Sequence, residues 1–144
     1  MKITIIAVGK LQTKFQDIFN EYKKKIEFFS KLEVIEVKEL NEENITLKKQ
    51  KETEKILELI PKNSDIYLCS LKGKSYDSTE FSKTLERSNI TFIIGGSNGL
   101  IEELILSKKI KFSNLTFPHQ LFRIMLIEQI YRGFSILNNI KYHK

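Results

Sequence analysis

Short runs of β-branched and aromatic residues alternate along this chain with stretches whose apolar residues recur every three or four positions. Few folds accommodate that alternation. The runs "ITIIAV" (residues 3–8), "LEVIEVKEL" (32–40), "DIYLCSL" (65–71) and "ITFIIGG" (90–96) read as strands. The first is apolar apart from Thr4, as a strand buried on both faces would be. The second alternates apolar with charged residues and reads as half-exposed. Between strands one and two, Phe15, Ile18, Phe19, Tyr22, Ile26 and Phe29 form a helical stripe with lysines opposite. A second helix opens within the polar residues 41–55 and runs to Ile60, where Pro61 stops it. "GKSYDS" reads as a loop, with Ser78 capping a short helix that carries Phe81 and Leu85. Another short helix is expected over residues 100–107. A long one opens with Pro118 in its first turn and runs to about Leu137. Strand–helix alternation with short connections predicts an α/β domain around a mostly parallel sheet, and 144 residues fit one domain, 1–144.

The long helix is apolar nearly all round. Leu121, Phe122, Ile124, Met125, Leu126, Ile127, Ile130, Tyr131, Phe134, Ile136 and Leu137 do not fit one stripe, so a second copy of the chain is expected to cover part of it. No apolar run is long enough to span a bilayer, and "MKITIIAVGK" is too short for a signal-peptide core. Cys69 is the only cysteine, which excludes an intrachain disulfide and a cysteine zinc site and makes the reduced cytoplasm the default location. His119 and His143 have no cysteine or carboxylate at ligand spacing, so no metal is expected.

Charge is unevenly placed. From Leu104 to the end, seven basic residues face Glu128 alone, so the last third carries the whole net charge of +6. That suits a polyanion such as RNA, and it equally suits a solvated face. "GKS" at residues 73–75 resembles the end of a P-loop, but Leu68 stands where the motif requires glycine. "GGSNG" at residues 95–99 lacks the dinucleotide-binding spacing. It still follows a strand, where glycines let backbone approach a ligand, and Glu102 and Glu103 next to it disfavour a phosphate. A tight turn with positive φ is the plainer reading. In the tail, Tyr142 offers stacking, His143 proton transfer, and Lys141 and Lys144 phosphate contacts, against the alternative of a frayed basic end.

Taken together, "MKITIIAVGK", a mid-chain "GK", "FIIGGSNGL", "LTFPHQLFRIMLIEQIYRGFSI" and the terminal "YHK" resemble the RlmH family of small SPOUT-class methyltransferases, in order and spacing from end to end. The resemblance implies a SPOUT-type mostly parallel sheet flanked by helices, with a deep trefoil knot toward the C-terminus, in a homodimer. It implies S-adenosylmethionine as cofactor, bound by Cys69 (where the family prefers leucine), Gly95, Phe112, Ser113, Asn114, Leu115, Thr116 and Phe117. The implied substrate is a pseudouridine of large-subunit ribosomal RNA, methylated at N3, in the assembled ribosome. For that chemistry the candidate catalytic residues are Tyr142 and His143, with Arg132 or Arg123 as the cation that stabilises the anion or anchors a phosphate, and His119 as a lesser candidate. The alternative is a dimeric RNA-binding or ribosome-associated module that uses no cofactor.

Overall fold

The computed structural model describes residues 1–86 and 89–144. Its elements run β1 (Lys2–Val8), α1 (Thr13–Ile26), β2 (Lys31–Val37), α2 (Ile45–Leu59), β3 (Asp65–Ser75), α3 (Ser78–Thr84), β4 (Asn89–Ile94), a short 3-10 turn (Glu102–Leu104), β5 (Lys108–Lys111) and α4 (His119–Leu137). The strands form one sheet in the order β2-β1-β4-β3-β5, and every pairing is parallel. Strand order reverses beside β1, because β2 lies on one side of it and the later strands on the other. Parallel sheets bind ligands at the carboxyl ends of strands near such a reversal.

The side-chain period of two sorts β1 between two cores. Ile3, Ile5 and Ala7 face one with Phe19, Ile26, Phe81, Phe92 and the buried residues of α4, so α1, α3 and α4 cover that side. Ile6 and Val8 face the other with Ile56 of α2, Leu68, Ile93, Leu100 and Ile105. Each buried isoleucine or valine contributes about 1.5–3 kcal/mol, which is why Thr4 is the one polar residue in the buried part of this strand.

The helix boundaries have local causes. Asn44 accepts a hydrogen bond from the Leu47 N–H and starts α2. At α3 the cap is Asp77, one residue before the expected Ser78. It forms a reciprocal capping box with Glu80, a stronger arrangement than a serine without an acidic partner. Pro118 likewise caps α4 from just outside it.

Two expectations change more. The helix expected over residues 100–107 reduces to the three-residue turn, because Leu100 and Ile105 are drawn into the core on the α2 side and the chain enters β5 directly. The "GKS" segment belongs to β3, which continues past a bulge between Cys69 and Lys74 to pair with β5. A Cβ on Gly73 would lie 2.6 Å from the Ile110 backbone N, so glycine permits the close approach of two strands there.

The apolar girth of α4 is partly explained within the chain. Leu126, Ile127, Ile130 and Phe134 are buried, with Phe134 stacked on Phe29 at 5.3 Å. Part of the cover assigned to a second chain is therefore supplied by α1, α3 and the sheet. Leu121 stays exposed, and Ile124 and Met125 are half-buried beside the exposed Ile18 of α1.

Candidate functional site

At the carboxyl end of β4 lies a cavity of about 830 Å³, mostly apolar, with three walls. Residues 68–72 of β3 form one, residues 94–100 another, and residues 110–113 with 115–119 the third. Phe122 and Glu102 close the rest. A cavity of this size suits a cofactor-sized ligand.

The glycines in the second wall have separate tasks. Gly99 has φ +76°, and nothing lies within 4 Å of where its Cβ would be, so it supplies the backbone angle alone. A Cβ on Gly96 would lie 2.7 Å from Glu39 Oε1 and 2.9 Å from Val8 Cγ1, so this position must be bare. A Cβ on Gly95 would meet the Leu100 side chain at 3.1 Å, closer than ordinary van der Waals contact. The turn is tight, with a positive φ at Gly99, and it forms one wall of the cavity.

Seven of the eight expected binding residues line the cavity: Cys69, Gly95, Phe112, Ser113, Leu115, Thr116 and Phe117. Asn114 does not, and its side-chain oxygen accepts a hydrogen bond from Lys111 Nζ at 2.7 Å. Burial pushes the Cys69 thiol up to about 12, so it stays protonated and presents an apolar surface. Phe112 is anchored against Phe122 at 4.8 Å and edge-on to Phe81 at 6.0 Å. Ser113 Oγ accepts from the Leu115 N–H and turns the loop.

His119, at the start of α4, also lines the cavity. Ser97, Asn98, Leu100, Ser70 and Lys72 line it too, and sequence reasoning missed them as binding positions. Ser97 and Asn98 were legible as neighbours within the glycine run, but Ser70 and Lys72 carried no motif. Glu102 accepts from Ser70 Oγ at 2.8 Å and pairs with Lys109 at 3.4 Å, which ties β3 to β5 and partly offsets its charge.

The C-terminal residues form a second constellation. Asn139, with φ +55°, ends α4 in the left-handed conformation. Ile140 N–H then donates to Ser135 O, and Asn139 N–H to Ile136 O. This Schellman pattern turns the tail back along the helix, so the tail is not frayed. Arg132 donates from Nε and Nη2 to Glu128 Oε1 at 2.9 and 2.6 Å, and from Nη1 to His143 Nδ1 at 3.1 Å. Tyr142 donates to Glu128 Oε1 at 3.1 Å, meets Tyr131 edge-on at 4.8 Å and lies under the Arg132 guanidinium at 4.9 Å.

Burial, then contact with Tyr22 and Glu128, raises the Tyr142 phenol above its ordinary range. Hydrogen bonding to Glu128 keeps Arg132 firmly protonated. A guanidinium only donates, so His143 Nδ1 is an acceptor here and the neutral ring carries its proton on Nε2.

Arg132, Tyr142 and His143 come together, and none of them lines the large cavity. Glu128 and Tyr22, which touch Tyr142, line a neighbouring cavity of about 660 Å³ that shares Ile110 and Phe112 with the first. Arg123 is not available for catalysis. It is 1% exposed, paired with Glu36, and donates to Gly9 O at 3.0 Å. Among the described residues no group of histidine, cysteine and carboxylates could hold a metal ion, and no helix is long and apolar enough to cross a membrane.

Residues 1–143 match the family model described as predicted SPOUT methyltransferase. The chain is 59% identical over 144 residues to a protein of Mycoplasma mobile, with all of both chains covered, and 59% identical over 145 residues to one of Mycoplasmopsis synoviae, with the same coverage. Both relatives carry the name ribosomal RNA large subunit methyltransferase H. The fold also matches a solved structure concerned with 2-OH methylation of C/U34 on tRNA, with TM-score 0.54 and 13% identity over 96% of this chain and 97% of that one.

Proposed function

The chain belongs to the SPOUT methyltransferase family, and on that premise we propose that it methylates N3 of a pseudouridine in large-subunit ribosomal RNA, using S-adenosylmethionine. The observation that carries the cofactor reading is the cavity itself. A bare glycine turn, an apolar strand and a turned loop converge on it, with seven of the eight residues implied by family resemblance in its walls. Backbone groups of residues 95–100 and 112–117 would hold the adenine edge and the methionine part, and Leu100, Ile110 and Phe117 would supply apolar contact. When bound, S-adenosylmethionine supplies a methyl group on a cationic sulfonium. Glu102 is compatible with that charge, as it would not be with a phosphate. The trefoil knot implied by the family resemblance belongs to this proposal.

N3 of pseudouridine carries a proton that must leave as the methyl arrives. Tyr142 stays a neutral phenol and serves as a stacking surface and donor. His143 can accept the proton at Nδ1 once Arg132 Nη1 turns from it to the developing imide anion or to a phosphate. Because this cluster stands outside its own chain's cavity wall, it acts on the cavity of a second copy. The homodimer is joined through the apolar face of Ile18, Leu121, Ile124 and Met125. The basic C-terminal third binds the RNA, with affinity that falls steeply with salt. The substrate is the assembled ribosome of the cytoplasm. Mass spectrometry of ribosomal RNA from cells lacking this gene tests the reading: one methyl group should be missing from one pseudouridine, and an unchanged modification profile would refute it.

A further inference from the structure

The polar stretch that opens α2 is unexpectedly buried. Lys48 is 7% exposed, Glu52 1% and Thr53 0%, although a surface helix of this length could turn such residues outward. Lysine is rarely buried unless paired, and a buried ion pair is a weak source of stability, since apolar residues of similar volume often do as well. Lys48 is buried while its partner Glu39 is a third exposed, and a role in fixing a conformation accounts for the arrangement better than stability does.

The partners show which conformation. Lys48 Nζ donates to Asn98 Oδ1 at 2.7 Å and pairs with Glu39 Oε1 at 3.7 Å. The same Glu39 oxygen accepts from the Ser97 N–H and from Ser97 Oγ, each at 3.0 Å. Thr53 Oγ1 accepts from the Ile101 N–H at 3.0 Å, just beyond the turn. Glu52 Oε2 accepts from the Leu40 N–H at 2.9 Å and holds the connection that carries Glu39. Gly96 is bare where Glu39 presses on the turn. The Ser97 N–H holds the Glu39 carboxyl below its usual range, with Ser97 Oγ and Lys48 adding to the effect against the opposing influence of burial.

We propose that Glu39 and Lys48 are positioning residues: they brace Ser97 and Asn98 from behind and keep the glycine turn in the shape that binds the cofactor. The proposal rests on the reading of the cavity as the cofactor site, and it assigns affinity for that ligand to residues outside the cavity wall. Lys48 and Glu39 do not line the cavity, whereas Ser97 and Asn98 do. A misplacement of about 1 Å in such a wall is enough for a large loss of binding or rate, up to about a hundredfold.

The test uses the full chain, S-adenosylhomocysteine titrated by calorimetry, and thermal unfolding without ligand. Lys48→Met and Glu39→Ala should each weaken binding by about tenfold or more, with Tm lowered by no more than about 5 °C. Glu39→Gln, which keeps an oxygen for the Ser97 N–H, should restore most of the affinity. In methyl transfer, KM for the cofactor should rise while kcat holds. Unchanged affinity in Lys48→Met and Glu39→Ala overturns the brace. So does a loss that merely follows the unfolded fraction, with Glu39→Gln no better than Glu39→Ala. Failure of the unsubstituted protein to bind would instead refute the cofactor reading. The brace would then stand or fall on amide hydrogen exchange of residues 95–101, which should quicken in Lys48→Met while the β1 amides stay protected.

Discussion

The large cavity and the C-terminal cluster are built on opposite plans. The cavity is made mainly of backbone and apolar side chains from three stretches far apart in sequence, and its acidic member Glu102 is tied down by Ser70 and Lys109. The cluster is made of side chains within a short span at the end of α4, with Arg132 linking Glu128, Tyr142 and His143. One is a container with His119 in its wall, and the other holds polar chemistry without a wall in that container. On the proposed function, a small domain thereby separates affinity from chemistry. Rigid backbone holds a ligand at little entropic cost, while proton transfer needs groups that can exchange partners.

Removing one plan while sparing the other tests that separation most severely. Deleting residues 140–144 should lower methylation by about a thousandfold, within the 10²–10⁴ range of general acid–base groups. Calorimetry should meanwhile find S-adenosylhomocysteine affinity little changed, and full turnover by the truncated chain would return the tail to a solvated end. Gly95→Val attacks the other side. Its added carbons press on the Leu100 side chain, so affinity should fall about tenfold while the unfolding temperature moves only a few degrees. If the variant unfolds, the turn is architecture alone.

Arg132→Lys sharpens the comparison. It keeps the charge but loses the fork that joins Glu128 to His143. A fall in kcat of about tenfold is expected at constant cofactor KM, and a raised KM would mean that the cluster also shapes the cavity. The smallest effect concerns pH. The Cys69 thiol is raised from 9.0 to about 12 in the fold, so its contribution to stability is complete below pH 9 and is lost as the pH rises toward 12. Urea unfolding at pH 8 and pH 10 should show that loss, reduced in Cys69→Ala. Tyr142, also raised, leaves a residue of the same sign.

Much of this was legible in advance. The β1 run, the stop at Pro61 and the glycine end of β4 are signals within a few residues, and each stands where it was expected; the α1 stripe does so except that Phe29 lies past the end of the helix and Ile18 is exposed. Other features depended on partners distant in sequence. "GKS" reads as a loop until β5 lies against it, and Gly73 is required only because Ile110 is there. Arg123 reads as a free cation until Glu36 and the Gly9 carbonyl enclose it. The tail reads as frayed until Asn139 turns it onto Tyr131 and Glu128.

The sequence by itself determined the α/β class, the parallel alternation and the position of the glycine turn, because periodicity and backbone preference are local; the loop of residues 112–117 was implied by family resemblance alone. Only the tertiary structure decided that Lys48 and Glu39 stand behind that turn, that Asn114 is tied to Lys111 and does not line the cavity, and that the Arg132 cluster stands outside its wall. Burial and pairing are properties of two segments at once, and no single segment carries them.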